Sequence, residues 1–329
     1  MQALPPDLLR LAVSVLAIVI FAFANAAIMV LVERKVCGHI QRRPGPFEVG
    51  PFGILQTACD GLKLMCKQLL IPKNADPFLF RLAPVLSFVP PIAALIVVPF
   101  AKNLQVRDLD IGVLFILSLA AVNVLALVIA GWSSANKYSL FGAIRAVAQN
   151  VAYEIPLLIA LLTAVFWFGS FRLSDIVAAQ GSRWFAFTPW GFVAFLIYFV
   201  TGLAETNRAP FDLPEAESEL TAGFHTEYAG MGFGLFFLGE YTNMVLVAAV
   251  ATTLFLGGWH GPLFLDLPYT GLFWFLVKVY GMLVAMIWMR WTFPRVRFDQ
   301  LLNFAWKILI PVSLANLAVT AVVLKLVNP

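Results

Sequence analysis

The stretch Glu205–Tyr241, ETNRAPFDLPEAESELTAGFHTEYAGMGFGLFFLGEY, decides how the chain is read. It holds Glu205, Asp212, Glu215, Glu217, Glu219, Glu227 and Glu240 against one base, Arg208, a local charge of −6 in a chain of net charge +4. Apolar runs lie on both sides of it, Pro189–Ala204 before and Gly230–Leu256 after. Acids in such surroundings are costly unless they serve something. Asp212-Leu213-Pro214-Glu215 has the form of a capping box with proline in the first turn, so a short helix is expected from Leu213. Glu215 and Glu219 would share a face and repel, raising at least one carboxyl pKa, while Glu217 points elsewhere. Glu240 falls roughly midway along the apolar run Ala229–Gly258, where a carboxylate costs about 2.5–3.5 kcal/mol. Two readings fit: a well-capped solvated loop with one glutamate paired to a neighbouring helix, or an ion or proton path.

Outward from this stretch the chain is apolar, with 61% hydrophobic and 12% charged residues among its 329. That composition excludes a soluble domain and predicts an all-α polytopic membrane protein. Eight runs have spanning character: Leu8–Val32, Phe78–Phe100, Ile111–Gly131, Ala146–Gly169, Pro189–Ala204, Gly230–Leu256, Gly271–Met289 and Leu302–Val327. The fifth is short. The runs are continuous rather than alternating, which argues against barrel strands. Ala24-Asn25-Ala26 resembles a signal cleavage site, but the apolar run is too long and Glu33-Arg34-Lys35 flanks the wrong end, so a retained first helix is expected. Of 22 lysines and arginines, 15 fall in the odd-numbered loops, 6 on the opposite side and Lys278 within a span. This distribution predicts odd loops on the inner side and both termini outside. The whole chain, residues 1–329, reads as one membrane domain.

Glu33–Pro72, ERKVCGHIQRRPGPFEVGPFGILQTACDGLKLMCKQLLIP, is the second informative stretch. After a proline- and glycine-rich entry, Ile54, Leu55, Ala58, Leu62, Met65, Leu69 and Leu70 recur at helical spacing with Asp60, Lys63 and Lys67 between them. This predicts an amphipathic interfacial helix over about 53–70 in the first inner loop, either a plain surface anchor or the wall of a cavity, with Asp60 and Lys63 one turn apart. Cys37, Cys59 and Cys66 lack CxxC spacing, and His39, His225 and His260 are scattered. No metal site is expected from them.

In loop 1, ERK-x-x-G-x-x-Q-x-R-x-GP-x-x-x-GP-x-G-x-L-Q, and in loop 5, ETNRAPFDL-x-E-x-ESEL-x-x-GF-x-x-EY, the chain resembles the membrane-embedded H subunit of the proton-pumping NADH–quinone oxidoreductase, respiratory complex I, and its mitochondrial counterpart, NADH dehydrogenase subunit 1. Trp132–Pro156 and Arg290–Leu302 agree with it, so the likeness spans essentially the whole chain. The resemblance implies a quinone access chamber walled by Glu33, Arg34, Arg43, Asp60 and Lys63 from loop 1, and by Arg290, Arg295 and Arg297 near the last span. It implies a proton path through Glu205, Glu215, Glu217, Glu219, Glu227 and Glu240, joined by Glu154. Quinone, ubiquinone or menaquinone, would be the substrate, with no flavin or iron–sulfur cluster held by this chain. Implied partners are the peripheral subunits carrying the terminal cluster and the quinone headgroup site, the small adjacent membrane subunits and the lipid bilayer, with no nucleic acid. A bacterial plasma membrane is the expected location. A chamber with apolar walls and fixed bases suits an isoprenoid tail and a head gaining negative charge.

Glu154 lies in Ala152-Tyr153-Glu154-Ile155-Pro156, where the proline removes a backbone donor and makes room for water. Arg145 and Gln149, at i and i+4, share its polar stripe or pair with it. No carboxylate appears inside the second or third span, where some family members carry one. For Lys278, snorkelling and pairing with a glutamate are both open. The alternatives are a membrane subunit of a related hydrogenase-type complex, a stand-alone cation transporter, and a purely structural anchor for peripheral subunits.

Overall fold

The computed structural model describes residues 6–181, 183–214, 217–262 and 270–327, with the backbone alone for Pro6, Asp7, Leu8, Glu217, Ser218 and Val327. The described residues are helical apart from loops and one isolated bridge, Ala101 to Leu104. The elements are α1 (Pro6–Ile40), α2 (Gln56–Cys66), α3 (Pro77–Leu95), α4 (Gly112–Ser133), α5 (Lys137–Phe168), α6 (Leu173–Ala179), α7 (Pro189–Glu205), α8 (Glu217–Leu220), α9 (Gly230–Leu254), α10 (Gly271–Thr292), α11 (Phe298–Phe304) and α12 (Ile310–Val327). A π-helical turn at Ala305–Leu309 joins the last two into one rod.

Among the described residues, seven helices are long and apolar enough to cross a membrane. They match seven of the eight expected runs. The remaining run forms α7, whose 17 residues rise about 26 Å, a little short of a ~30 Å hydrocarbon core. Starts follow the sequence. Asp76 accepts from the backbone N–H of Phe78 and Leu79, Asn136 from Tyr138, and Thr188 from Gly191, each capping the span that follows. Proline stands in the first turn of α3 and α7. The α5 helix runs on through Pro156 without a break.

The α9 helix is the axis of the bundle, packed on by α1, α3, α6, α7 and α10. Its glycines permit this. A Cβ at Gly239 would stand 2.9 Å from the Ser87 carbonyl oxygen of α3, so only glycine lets the two backbones approach. The loop that follows α9 is tied to α10 by Lys278, whose ammonium donates to the carbonyls of Leu256 (2.6 Å), Gly258 (2.9 Å) and His260 (2.6 Å). This is how the chain accommodates a lysine within a span: three loop carbonyls need donors, and the ammonium has three to give.

Two expectations are corrected. The amphipathic helix ends at Cys66 rather than near Leu70, because Lys67 turns to extended backbone and the chain passes against Gly230 at the start of α9. No helix begins at Leu213. Leu213 and Pro214 lie outside any helix, α8 begins at Glu217, and Asp212 accepts from Arg295.

Candidate functional site

Loop 5 returns to the bundle and places Arg208 at its centre, 2% exposed. Its Nη1 donates to Glu33 Oε2 near the C-terminal end of α1, and its Nε lies against Glu240 Oε1 in the first half of α9. Glu33 is also nearly buried and fully engaged: Tyr241 donates its hydroxyl to Oε2 at 2.7 Å and Arg290 donates to Oε1 at 2.5 Å. The Arg208 guanidinium carbon stands 4.2 Å from the Tyr241 ring centre. Two carboxylates and two guanidiniums from α1, loop 5, α9 and α10 thus form one cluster. Charges so far from water persist only when paired, and each of these four stands in an ion pair.

A second tie lies beside the first. Arg295 donates to Asp212 at 2.9 Å, and the Val296 N–H donates to the Pro210 carbonyl, so the segment after α10 is laced to loop 5. Burial lifts the Asp212 carboxyl above its usual range, and the nearby guanidiniums of Arg295, Arg290 and Arg208 offset only part of this.

The rest of loop 5 is fastened to α3, α4 and α5. Arg145 of α5 pairs with Glu219, and Asn136 donates to Glu227 at 2.6 Å. Tyr228 stacks on Phe80 with ring centres 4.0 Å apart, and burial raises its phenol to about 12. Gly142 lets the Gly223–His225 turn lie directly on α5, since a Cβ there would meet the Phe224 nitrogen at 2.7 Å. Burial lowers the His225 imidazole to about 4, so it is neutral near pH 7.

Arg145 therefore serves Glu219 and not Glu154. Gln149 is also committed elsewhere, donating to the carbonyls of Ala204 and Phe211 at 2.8 Å each. Glu154 has no ion pair among the described residues and lies within electrostatic reach of Glu205. Glu205 and Glu240 line one cavity of about 40 Å³ together with His225, Asn243, Ser87 and Asn123. That is room for a few waters between two carboxylates. Ser87 donates to Asn123 at 3.2 Å, so α3 and α4 contribute neutral polar groups where no carboxylate is present.

Of the loop 1 candidates, Arg34 donates to Asp60 at 2.5 Å, tying α1 to α2. Burial would raise the Asp60 carboxyl, but hydrogen bonds from Arg34 and Gln56 and the charges of Arg34 and Lys63 outweigh it and hold it low. Arg43 folds back on Gln41 and approaches the Cys37 sulfur, Arg297 pairs with Asp299, and Lys63 is exposed. Glu215 lies outside the described residues, as does the side chain of Glu217. Cys37 is buried, whereas Cys59 and Cys66 are exposed. Among the described residues no group of three or more histidine, cysteine or acidic side chains could hold a metal.

Sequence reasoning assigned no role to Arg208 or Tyr241. The available signal was that Arg208 is the one base among seven acids. It also kept Glu33 and Arg290 apart from Glu240, whereas the structure joins all three through Arg208.

A bundle of long apolar helices with ionised groups paired across its interior defines a multi-pass membrane protein. A family model described as NADH dehydrogenase matches residues 13–321. The chain is 50% identical to the NADH-quinone oxidoreductase H subunit of Desulfotalea psychrophila, over 96% of this chain and 98% of that one. It is 48% identical to the protein of the same name in Carboxydothermus hydrogenoformans, over 95% and 89%, and 42% identical to that of Bacteroides thetaiotaomicron, over 94% and 89%. The chain belongs to this family, the H subunits of NADH-quinone oxidoreductase, as its loop motifs implied.

Proposed function

We propose that this chain is the membrane subunit of an NADH–quinone oxidoreductase in which quinone reduction is coupled to proton movement. Family membership supports the complex. The observation that carries the coupling is the sharing of Arg208 between Glu33 and Glu240. In this reading Glu33, Arg34, Arg43, Asp60, Lys63, Arg290, Arg295 and Arg297 wall the quinone chamber. Glu154, Glu205, Glu215, Glu217, Glu219, Glu227 and Glu240 begin the proton path. Quinone is the substrate, and the electrons arrive from partner subunits. The α2 helix lies in the interface, α7 completes eight spans, both termini face the outer side, and residues 1–329 act as one domain.

The chemistry follows from the cluster. A quinone head gaining negative charge draws on fixed bases, and Arg290 is held by Glu33 at the chamber side. Any shift of Arg290 changes the charge balance at Glu33, hence the hold of Arg208 on Glu240. Released from its counter-ion, Glu240 favours its protonated form and takes a proton from the cavity it shares with Glu205. The test is Glu240→Gln and Glu33→Gln in the assembled complex in proteoliposomes, reading NADH-driven quinone reduction and proton uptake together. Glu240→Gln is expected to lower protons moved per electron pair, and Glu33→Gln to lower turnover. Wild-type values for both quantities in both variants would overturn the reading.

A further inference from the structure

The spans α1 and α10 touch near mid-membrane and part toward the N-terminal end of α1. Tyr280 donates to Asn25 Oδ1 at 2.5 Å, and Phe21, Phe100 and Phe275 close the junction with edge-on ring contacts. Beyond it the two helices and the α3–α4 connection enclose a cleft of about 1170 Å³. That exceeds the ~300–1,000 Å³ of ordinary small-molecule pockets. Its walls are apolar, with Leu11, Val13 and Phe21 from α1, Phe100 beyond α3, and Leu272 and Leu276 from α10.

Its mouth carries two exposed arginines, Arg10 and Arg107. Neither makes an ion pair among the described residues. The carboxylates next to Arg107 are engaged elsewhere, since Arg172 pairs with both Asp108 and Asp110 and Ser174 donates to Asp108. From Arg10 at the mouth to Phe21 at the floor, α1 rises about 16 Å at ~1.5 Å per residue, half of a ~30 Å hydrocarbon core. The cleft has the depth of one leaflet, cationic at the water end and apolar below.

We propose that this cleft binds one anionic glycerophospholipid, its phosphate between Arg10 and Arg107 and its acyl chains between α1 and α10. The charge decides for a lipid over a partner's helix: two guanidiniums without an ion pair among the described residues match an anionic head, and an apolar helix would bring them no counter-charge. Each cation near an anionic head contributes about a five-fold preference, so the pair favours an anionic over a neutral lipid by roughly 30-fold.

The test uses the intact assembly purified through this chain, stripped of lipid in detergent and offered phosphatidylglycerol or phosphatidylcholine, with retained lipid counted by native mass spectrometry. The proteins compared are the wild type, an Arg10→Gln/Arg107→Gln variant, an Arg10→Lys/Arg107→Lys variant and Leu276→Trp. The wild type and the lysine variant are expected to hold one phosphatidylglycerol more than the glutamine variant, Leu276→Trp to lose it, and phosphatidylcholine to be retained by none. Retention by the lysine variant distinguishes lost charge from misfolding. Equal retention in the wild type and the glutamine variant, retention of both lipids alike, or a crosslink from Arg107→Cys to another polypeptide of the complex would each overturn the proposal.

Discussion

The Arg208 guanidinium stands over the ring of Tyr241, its central carbon 4.2 Å from the ring centre, while the hydroxyl of the same tyrosine donates to Glu33, the partner of Arg208, at 2.7 Å. One aromatic side chain therefore covers the cation and anchors its anion. Tyr241→Phe keeps the ring and removes a hydrogen bond to a charged group, a loss of about 1.5–3 kcal/mol. Tyr241→Leu also removes the cation–π contact, about 2 kcal/mol more in a desolvated setting. Thermal unfolding of the purified complex is expected to rank wild type, Tyr241→Phe, Tyr241→Leu in falling order.

Arg208→Met leaves Glu33 and Glu240 buried without their shared cation. Removing one partner of a buried pair costs about 3–5 kcal/mol. The expected outcome is poor assembly at neutral pH, with partial recovery in Arg208→Met combined with Glu240→Gln, measured as the yield of intact complex. Equal yield for the single and double variants would show that Glu240 does not depend on Arg208.

Gly142→Ala places a methyl against the Phe224 nitrogen, 2.7 Å from the ideal Cβ position. The Gly223–His225 turn must lift from α5, at a cost of about 1–3 kcal/mol. Hydrogen exchange across residues 219–228 is expected to speed up while the protection of α9 beyond Met244 stays unchanged.

The same turn carries a pH dependence of definite sign. The His225 pKa is lowered by burial from 6.5 to about 4 in the docked loop, so between those values the undocked loop binds more protons than the docked one. Docking is fully supported above about pH 6.5 and weakens progressively as pH falls toward 4. Exchange in residues 219–228 of the wild type is expected to rise, after correction for intrinsic rates, as pH drops from 7 to 5. His225→Leu is expected to flatten that dependence.

Lys278→Met removes the donor from the carbonyls of Leu256, Gly258 and His260. An unsatisfied buried polar group costs about 1–3 kcal/mol, so thermal stability falls. The number of protons moved per quinone reduced is expected to stay at the wild-type value, because the lysine holds the loop after α9 in place. A changed ratio with unchanged stability would place Lys278 on the proton path instead.

What the sequence made legible was local. Apolar runs located the long helices, and the charged stretches around Glu33 and Glu205 stood out against their surroundings. The pairings were not legible, because they join distant positions: Arg208 meets Glu33 across 175 residues, and Arg295 reaches Asp212 across 83. Lys278 defeated pattern reading for another reason. It donates to backbone carbonyls, which no arrangement of side chains in the sequence reveals.

The separation of Glu33 from its counter-ions also bears on how the chain is made. Glu33 is synthesised 175 residues before Arg208 and 257 before Arg290. At about 5–20 residues per second, the wait for Arg290 lasts roughly 13–50 s. Through that interval α1 carries an acid near its C-terminal end without these two counter-ions. The carboxylate stays tolerable there by reaching back to water or by binding a proton, and it is drawn inward only once loop 5 and α10 have emerged. Ribosome-stalled chains ending shortly after α9 are therefore expected to expose residue 33 to water-soluble labels that no longer reach it in the finished protein.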